Sequence, residues 1–137
     1  MYRRIIALLC LPGSLHAFAG EEHTEQARQN LKNYGLSHCI LAPFKEQSAL
    51  EKDIKLSAGA YSFMGKGLHT VVQNEDTLEV THDPYAETEK YMASAYLKTS
   101  STSKQNGKNI VFYSCLEIYN SPEFDAFIKS QDQYLQN

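Results

Sequence analysis

The chain has 137 residues, with 13 Lys and Arg against 16 Asp and Glu, a formal net charge of −3, and 42% apolar residues. That length supports one hydrophobic core and no second domain. The acidic balance excludes a nucleic-acid binder, which needs a cationic face to neutralise phosphates.

Residues 1–19 stand apart in composition. Arg3 and Arg4 form a basic tip, an apolar run follows to Leu11, Pro12 and Gly13 break it, and Ala17-Phe18-Ala19 ends it in small residues. This layout predicts a secretory signal peptide cleaved after Ala19, leaving 20–137 as the single mature, exported domain. The apolar run is about half of the roughly 20 residues that a spanning helix needs, so no membrane association is expected after cleavage. Cys10 follows Leu9, a residue too large for a lipid-transfer site, and departs with the signal. Loss of Arg3 and Arg4 leaves 11 basic residues against 16 acidic ones, a mature charge of −5.

From there the pattern is helical. Residues 21–42 repeat Ala27, Leu31, Tyr34 or Gly35, and His38 or Cys39 at three- and four-residue intervals, up to Pro43, with a polar and loose start at 21–24. Residues 50–64 carry the stripe Leu50, Ile54, Ala58 and Tyr61 and end at Gly65 and Gly67. The small run 57–60 suits close approach of another backbone. In 68–82 the residue types fit a hairpin, but a two-stranded hairpin is marginal without a face to pack on, and a helical or irregular link is preferred. Asp83-Pro84 opens a helix to Lys98, with Tyr85, Thr88 or Glu89, Met92, and Ala95 or Tyr96 inward. Val111, Phe112, Cys115, Ile118 and Tyr119 share a face of the next helix. Ser121-Pro122 caps a last one whose buried stripe is Phe124, Phe127, Ile128, Gln131 and Tyr134 or Leu135. The fold class is therefore all-α: a small single-domain bundle of four to five helices.

Two cysteines remain after processing, and export favours oxidation, so one disulfide, Cys39–Cys115, is expected; two free buried thiols are the alternative. Closing a loop of roughly 75 residues stabilises by about 4 kcal/mol in the chain-entropy model.

Signs of catalysis are weak. His38 neighbours Cys39, but adjacent helical residues point about 100° apart, and an oxidised sulfur attacks nothing. The remaining mature histidines, His23, His69 and His82, read as ordinary surface or core residues. No zinc-ligand spacing, phosphate loop or serine-nucleophile motif is present, so no catalytic residue, metal or cofactor is assigned. The acidic groups at Glu75-Asp76, Asp83 and Glu87 to Glu89 read as a solvated face. Nine tyrosines and no tryptophan include several core positions, whereas Tyr91 falls off the stripes and suits an interface.

Asn33-Tyr34-Gly35-Leu36-Ser37-His38-Cys39-Ile40, Ser57-Ala58-Gly59-Ala60-Tyr61 and the run from Ser114-Cys115-Leu116-Glu117 to Ser121-Pro122-Glu123-Phe124-Asp125 resemble, in order, the type VI secretion amidase immunity protein Tai4 family. The stretch 68–98 matches it only in spacing. The resemblance implies an all-helical periplasmic homodimer that is not an enzyme. It also implies that the matching Cys39 and Cys115 are bonded and that a protruding loop blocks the cysteine-histidine cleft of a secreted peptidoglycan amidase, a Tae4-like effector. The loop nominated here rests on its own polarity and length: Ser100, Ser101, Thr102, Ser103, Lys104, Gln105, Asn106, Gly107 and Lys108, within a stretch 99–109 that has no apolar side chain. The rival surface is the acidic segment 74–89. The rival functions are a general inhibitor of periplasmic cell-wall hydrolases, a small envelope enzyme and an envelope assembly partner.

Overall fold

A computed structural model describes residues 15–45 and 47–136. Most of the predicted signal segment, residues 1–14, lies outside the described residues. The long helix α1 (Leu15–Leu41) packs against every other helix. It runs unbroken through 21–24, where a loose start is expected from the polar sequence. Its buried residues Ala27, Leu31, Gly35 and Cys39 recur every four positions and form one inward stripe. The helix stops two residues before Pro43, in keeping with the steric block a proline places on the residue before it.

α2 (Ala49–Tyr61) starts at Ser48, whose Oγ accepts from the Glu51 amide at 3.0 Å. It ends three residues earlier than predicted, and the Lys66 amide then folds back onto the Ala60 carbonyl at 2.6 Å. Of its expected stripe only Ala58 is buried, and Leu50 is 68% exposed, so α2 rests on the bundle by its later turns. The close backbone approach also differs from expectation. Gly59 faces open space, whereas a Cβ on Gly35 would come within 2.8 Å of Thr88 Cγ2 and 3.2 Å of Met92 Cγ. Gly35 is therefore what lets α1 sit tightly on the helix that carries Thr88 and Met92.

Segment 68–82 is a hairpin and not the helical or irregular link preferred from sequence. β1 (Val72–Gln73) pairs antiparallel with β2 (Val80–His82). Asn74 sets the turn by accepting from the Asp76 and Thr77 amides, both at 2.9 Å, and Leu78 takes a positive φ of 60°. A hairpin this short persists because it has a face to lean on. The Thr70 amide donates to the Tyr134 carbonyl at 2.7 Å, His69 bridges Leu135, and the His82 ring stacks on Tyr134 at 3.9 Å.

α3 (Pro84–Lys98) matches its predicted bounds, with Pro84, Tyr85, Thr88 and Met92 buried. Asp83 caps it, one carboxylate oxygen accepting from the Tyr85 and Ala86 amides. α4 (Val111–Tyr119) buries Ser114, Cys115 and Ile118; Phe112, expected on the inner face, is 57% exposed. α5 (Pro122–Ser130) begins at Ser121, whose hydroxyl accepts from the Phe124 amide and donates to the Ile118 carbonyl. A 3-10 turn (Gln131–Tyr134) follows. The domain is thus a five-helix bundle with one small hairpin.

The core joins Leu31, Cys39, Tyr85, Met92, Cys115, Ile118, Phe124 and Ile128. Each large apolar side chain buried there contributes about 1.5–3 kcal/mol relative to exposure. Tyr91, read from sequence as an interface residue, belongs to this packing: it is half-buried and stacks on Phe127 at 4.5 Å and Phe124 at 5.4 Å. Cys39 and Cys115 are disulfide-bonded, with Cα atoms 5.8 Å apart and a separation of 76 positions in the chain. On its polar side α1 is tied to the end of the chain. Arg28 forks onto Asp132, and Lys32 Nζ meets Asp125 at 2.6 Å while lying 4.4 Å from the centre of the Tyr119 ring.

Candidate partner-binding surface

The polar stretch between α3 and α4 is an ordered hairpin-like loop. Thr102 bridges Asn109, the Ser103 amide donates to the Lys108 carbonyl at 2.8 Å, and the Gly107 amide donates back to Ser103 at 2.9 Å. The Ile110 amide donates to the Ser101 carbonyl at 2.8 Å, closing the base. Gly107 has φ +67°, a left-handed conformation that glycine adopts without the penalty other residues carry. Short side chains complete the turn: Ser103 Oγ accepts from the Gln105 amide and Asn106 Oδ1 from the Lys108 amide. All nine nominated residues therefore fall on one projecting element. Ser100, Thr102, Lys104, Gln105, Asn106, Gly107 and Lys108 are exposed, and Ser101 and Ser103 half-buried.

Asn109, one position beyond the nominated residues, holds this loop to the scaffold. Its Oδ1 accepts from the Ser101 amide and lies 3.2 Å from the Ser114 hydroxyl, and its Nδ2 donates to the Tyr96 hydroxyl at 3.0 Å. Both ends of the loop and two helices are thus joined through a single amide. Cys115 follows Ser114 directly, so the disulfide anchors α4 to α1 next to the loop's base. The one signal in sequence was that Asn is a frequent turn residue; its partners come from elsewhere in the chain.

Beside the loop, Ile110, Phe112 and Tyr113 are each about half-exposed. Residues 101–105 with Ile110 and Tyr113 line an open groove of about 520 Å³. The surface combines a polar tip carrying Lys104 and Lys108 with an aromatic shoulder of Phe112 and Tyr113. The rival segment is also exposed from Gln73 to Thr81, with Glu89 near His38 at 3.5 Å.

A second exposed region surrounds the end of α1. Ile40, Leu41, Pro43, Phe44, Leu50 and Ile54 line a groove of about 420 Å³, and Pro43 is shared with a neighbouring groove that reaches Leu97, which is 85% exposed. A third cavity, about 530 Å³, includes Tyr34, His38, Glu51, Lys55 and Glu89. Burial pushes the Tyr34 phenol up to about 12, helped by the nearby Glu89 carboxylate. Glu51 is paired with Lys55, whose hydrogen bond holds its carboxyl below the usual range. Among the described residues no three metal-ligating side chains are grouped, and no helix is long and apolar enough to cross a membrane.

Comparison with known proteins agrees with this arrangement. Residues 29–128 match the model of the family described as type VI secretion system amidase immunity protein, Tai4. No curated protein and no solved structure matches the chain. The matched span runs from the first turns of the inward stripe of α1 to Ile128 of α5, taking in both bonded cysteines and the whole projecting loop. The chain is a non-enzymatic member of the Tai4 family of type VI secretion amidase immunity proteins.

Proposed function

We propose that this protein is exported to the periplasm by cleavage of residues 1–19 and there inhibits a Tae4-like peptidoglycan amidase by placing the loop 100–108 in the enzyme's cysteine-histidine cleft. The observation that carries this reading is the loop's internal order: its hydrogen bonds set its shape before any partner arrives. A preordered loop gives up little conformational freedom on docking, so more of its contact energy appears as affinity. Lys104, Gln105 and Lys108 meet polar groups that otherwise bind the peptide stem, and Phe112 and Tyr113 cover the rim. The amidase is blocked by occlusion, with no chemistry from the inhibitor.

The inhibitor works as a homodimer. The apolar grooves around Phe44, Leu50 and Leu97 support this, because burying them against a second copy removes exposed hydrocarbon from water.

The test is co-purification with a Tae4-like amidase, followed by a cell-wall digestion assay. Shortening 101–107 is expected to weaken inhibition while the melting temperature hardly moves, because Asn109, which joins Tyr96 and Ser114, is kept. Full inhibition by the shortened protein would shift the contact to the acidic segment 74–89.

A further inference from the structure

His69 is completely buried, yet neither of its ring nitrogens has a hydrogen-bond partner. A neutral imidazole carries one donor and one acceptor, and buried groups of that kind are nearly always paired. The main chain around it is, by contrast, fully engaged. The His69 amide donates to the Tyr85 hydroxyl, and that hydroxyl donates back to the His69 carbonyl, both at 3.2 Å. On the other side the Thr70 amide donates to Tyr134 and the Gln136 amide to Leu68, at 2.7 and 2.9 Å, with His69 bridged to Leu135 between them. Residues 134–136 therefore lie along 68–70 as an added strand and fix the backbone on both sides of His69.

The aromatic and charged groups nearest the imidazole come from α3 and the 3-10 turn. From α3, Tyr85 presents its ring edge at 6.4 Å. From the 3-10 turn, Asp132 favours a charged imidazole, but its carboxylate is already engaged by Arg28 of α1. Tyr134 is stacked by His82 of β2, and His82 also lies 2.9 Å from Gln131. Burial outweighs the distant Asp132 and holds His69 down at about 4.

We infer that the clasp between 68–70 and 134–136 is an acid-operated latch: His69 takes up a proton only when its ring reaches water, and the terminal strap must lift to let it. The closed state binds the proton less readily than the open one. Its stability is therefore intact above the ordinary histidine value of about 6.5 and is lost as pH falls from there toward 4. Within that window the opening equilibrium gains up to about tenfold per pH unit. Opening also separates Tyr134 from His82 and frees the β1–β2 hairpin, leaving the disulfide-tied helices in place.

The test is hydrogen exchange at the Thr70 and Gln136 amides of the purified protein, corrected for intrinsic rates, between pH 7 and 4.5. An opening constant that rises about 60-fold is expected at both amides, with the Met92 amide in the core remaining the slower to exchange throughout. His69→Leu should flatten the rise, whereas His82→Gln, which removes the neighbouring histidine, should keep it. A rise that survives His69→Leu would overturn the latch. Should His69→Leu not fold, the NMR titration of the wild-type imidazole decides: a midpoint near 6.5 with the clasp amides still protected refutes the proposal, and one near 4 that tracks their loss upholds it.

Discussion

The disulfide offers the most direct test of how the scaffold is held. Cys39 and Cys115 close a loop of 76 positions, which in the chain-entropy model restricts the unfolded state by about 4 kcal/mol. A domain of about 120 residues has an unfolding entropy near 0.25 kcal/mol/K at its midpoint, so losing the bond should lower Tm by about 16–18 °C. Both cysteines are buried; the bond is therefore best reduced in denaturant and the protein refolded with reductant present. Urea melts of oxidised and reduced wild-type protein then isolate the cross-link, because no side chain has been replaced. The double variant Cys39→Ala with Cys115→Ala should lose a further 1–2 kcal/mol or so from the cavities it leaves. The reduced denatured chain is also more expanded, which should steepen the urea dependence. Coincident midpoints for the oxidised and reduced forms would refute the argument and assign the stability to helix packing alone.

Gly35→Ala should destabilise by about 1 kcal/mol, the close contact with Thr88 outweighing the gain in helix propensity. Adding Thr88→Ser removes the methyl group in the way and should recover part of the loss in a double-mutant cycle. Tyr85→Phe deletes the hydroxyl bonded to both main-chain groups of His69 and should cost about 1–3 kcal/mol in a urea melt, with the β1–β2 region losing exchange protection first. On the proposed homodimer, Leu50→Glu with Leu97→Glu should yield a monomer by sedimentation whose Tm no longer depends on protein concentration; a persistent dimer would place the contact on another face.

Features decided by neighbours in sequence were readable from it. Asp83-Pro84 and Ser121-Pro122 start helices where expected, each through a side-chain cap within three residues. The cysteine pairing followed from there being two outside the expected signal segment. Features decided by distant partners were hidden. The hairpin 72–82 is held by a terminal strap more than fifty positions away, and nothing within the segment distinguishes it from a loose link. Leu50 and Phe112 obey the helical spacing of their neighbours and still face outward, because periodicity marks an apolar stripe without saying what covers it. Polarity located the projecting loop, but its order depends on Asn109 reaching Tyr96 and Ser114, which only the packing of α3 on α4 brings near.

The hydrogen bonds that shape the loop use main-chain groups and the short side chains of Ser103, Asn106 and Asn109; none uses the side chain of Lys104, Gln105 or Lys108. Those three positions can change letter by letter without disturbing what supports them. On the proposed mode of binding, a lineage facing a new toxin can thus rewrite its recognition code at little expense in folding, which uncouples the pace of an arms race from the durability of the scaffold.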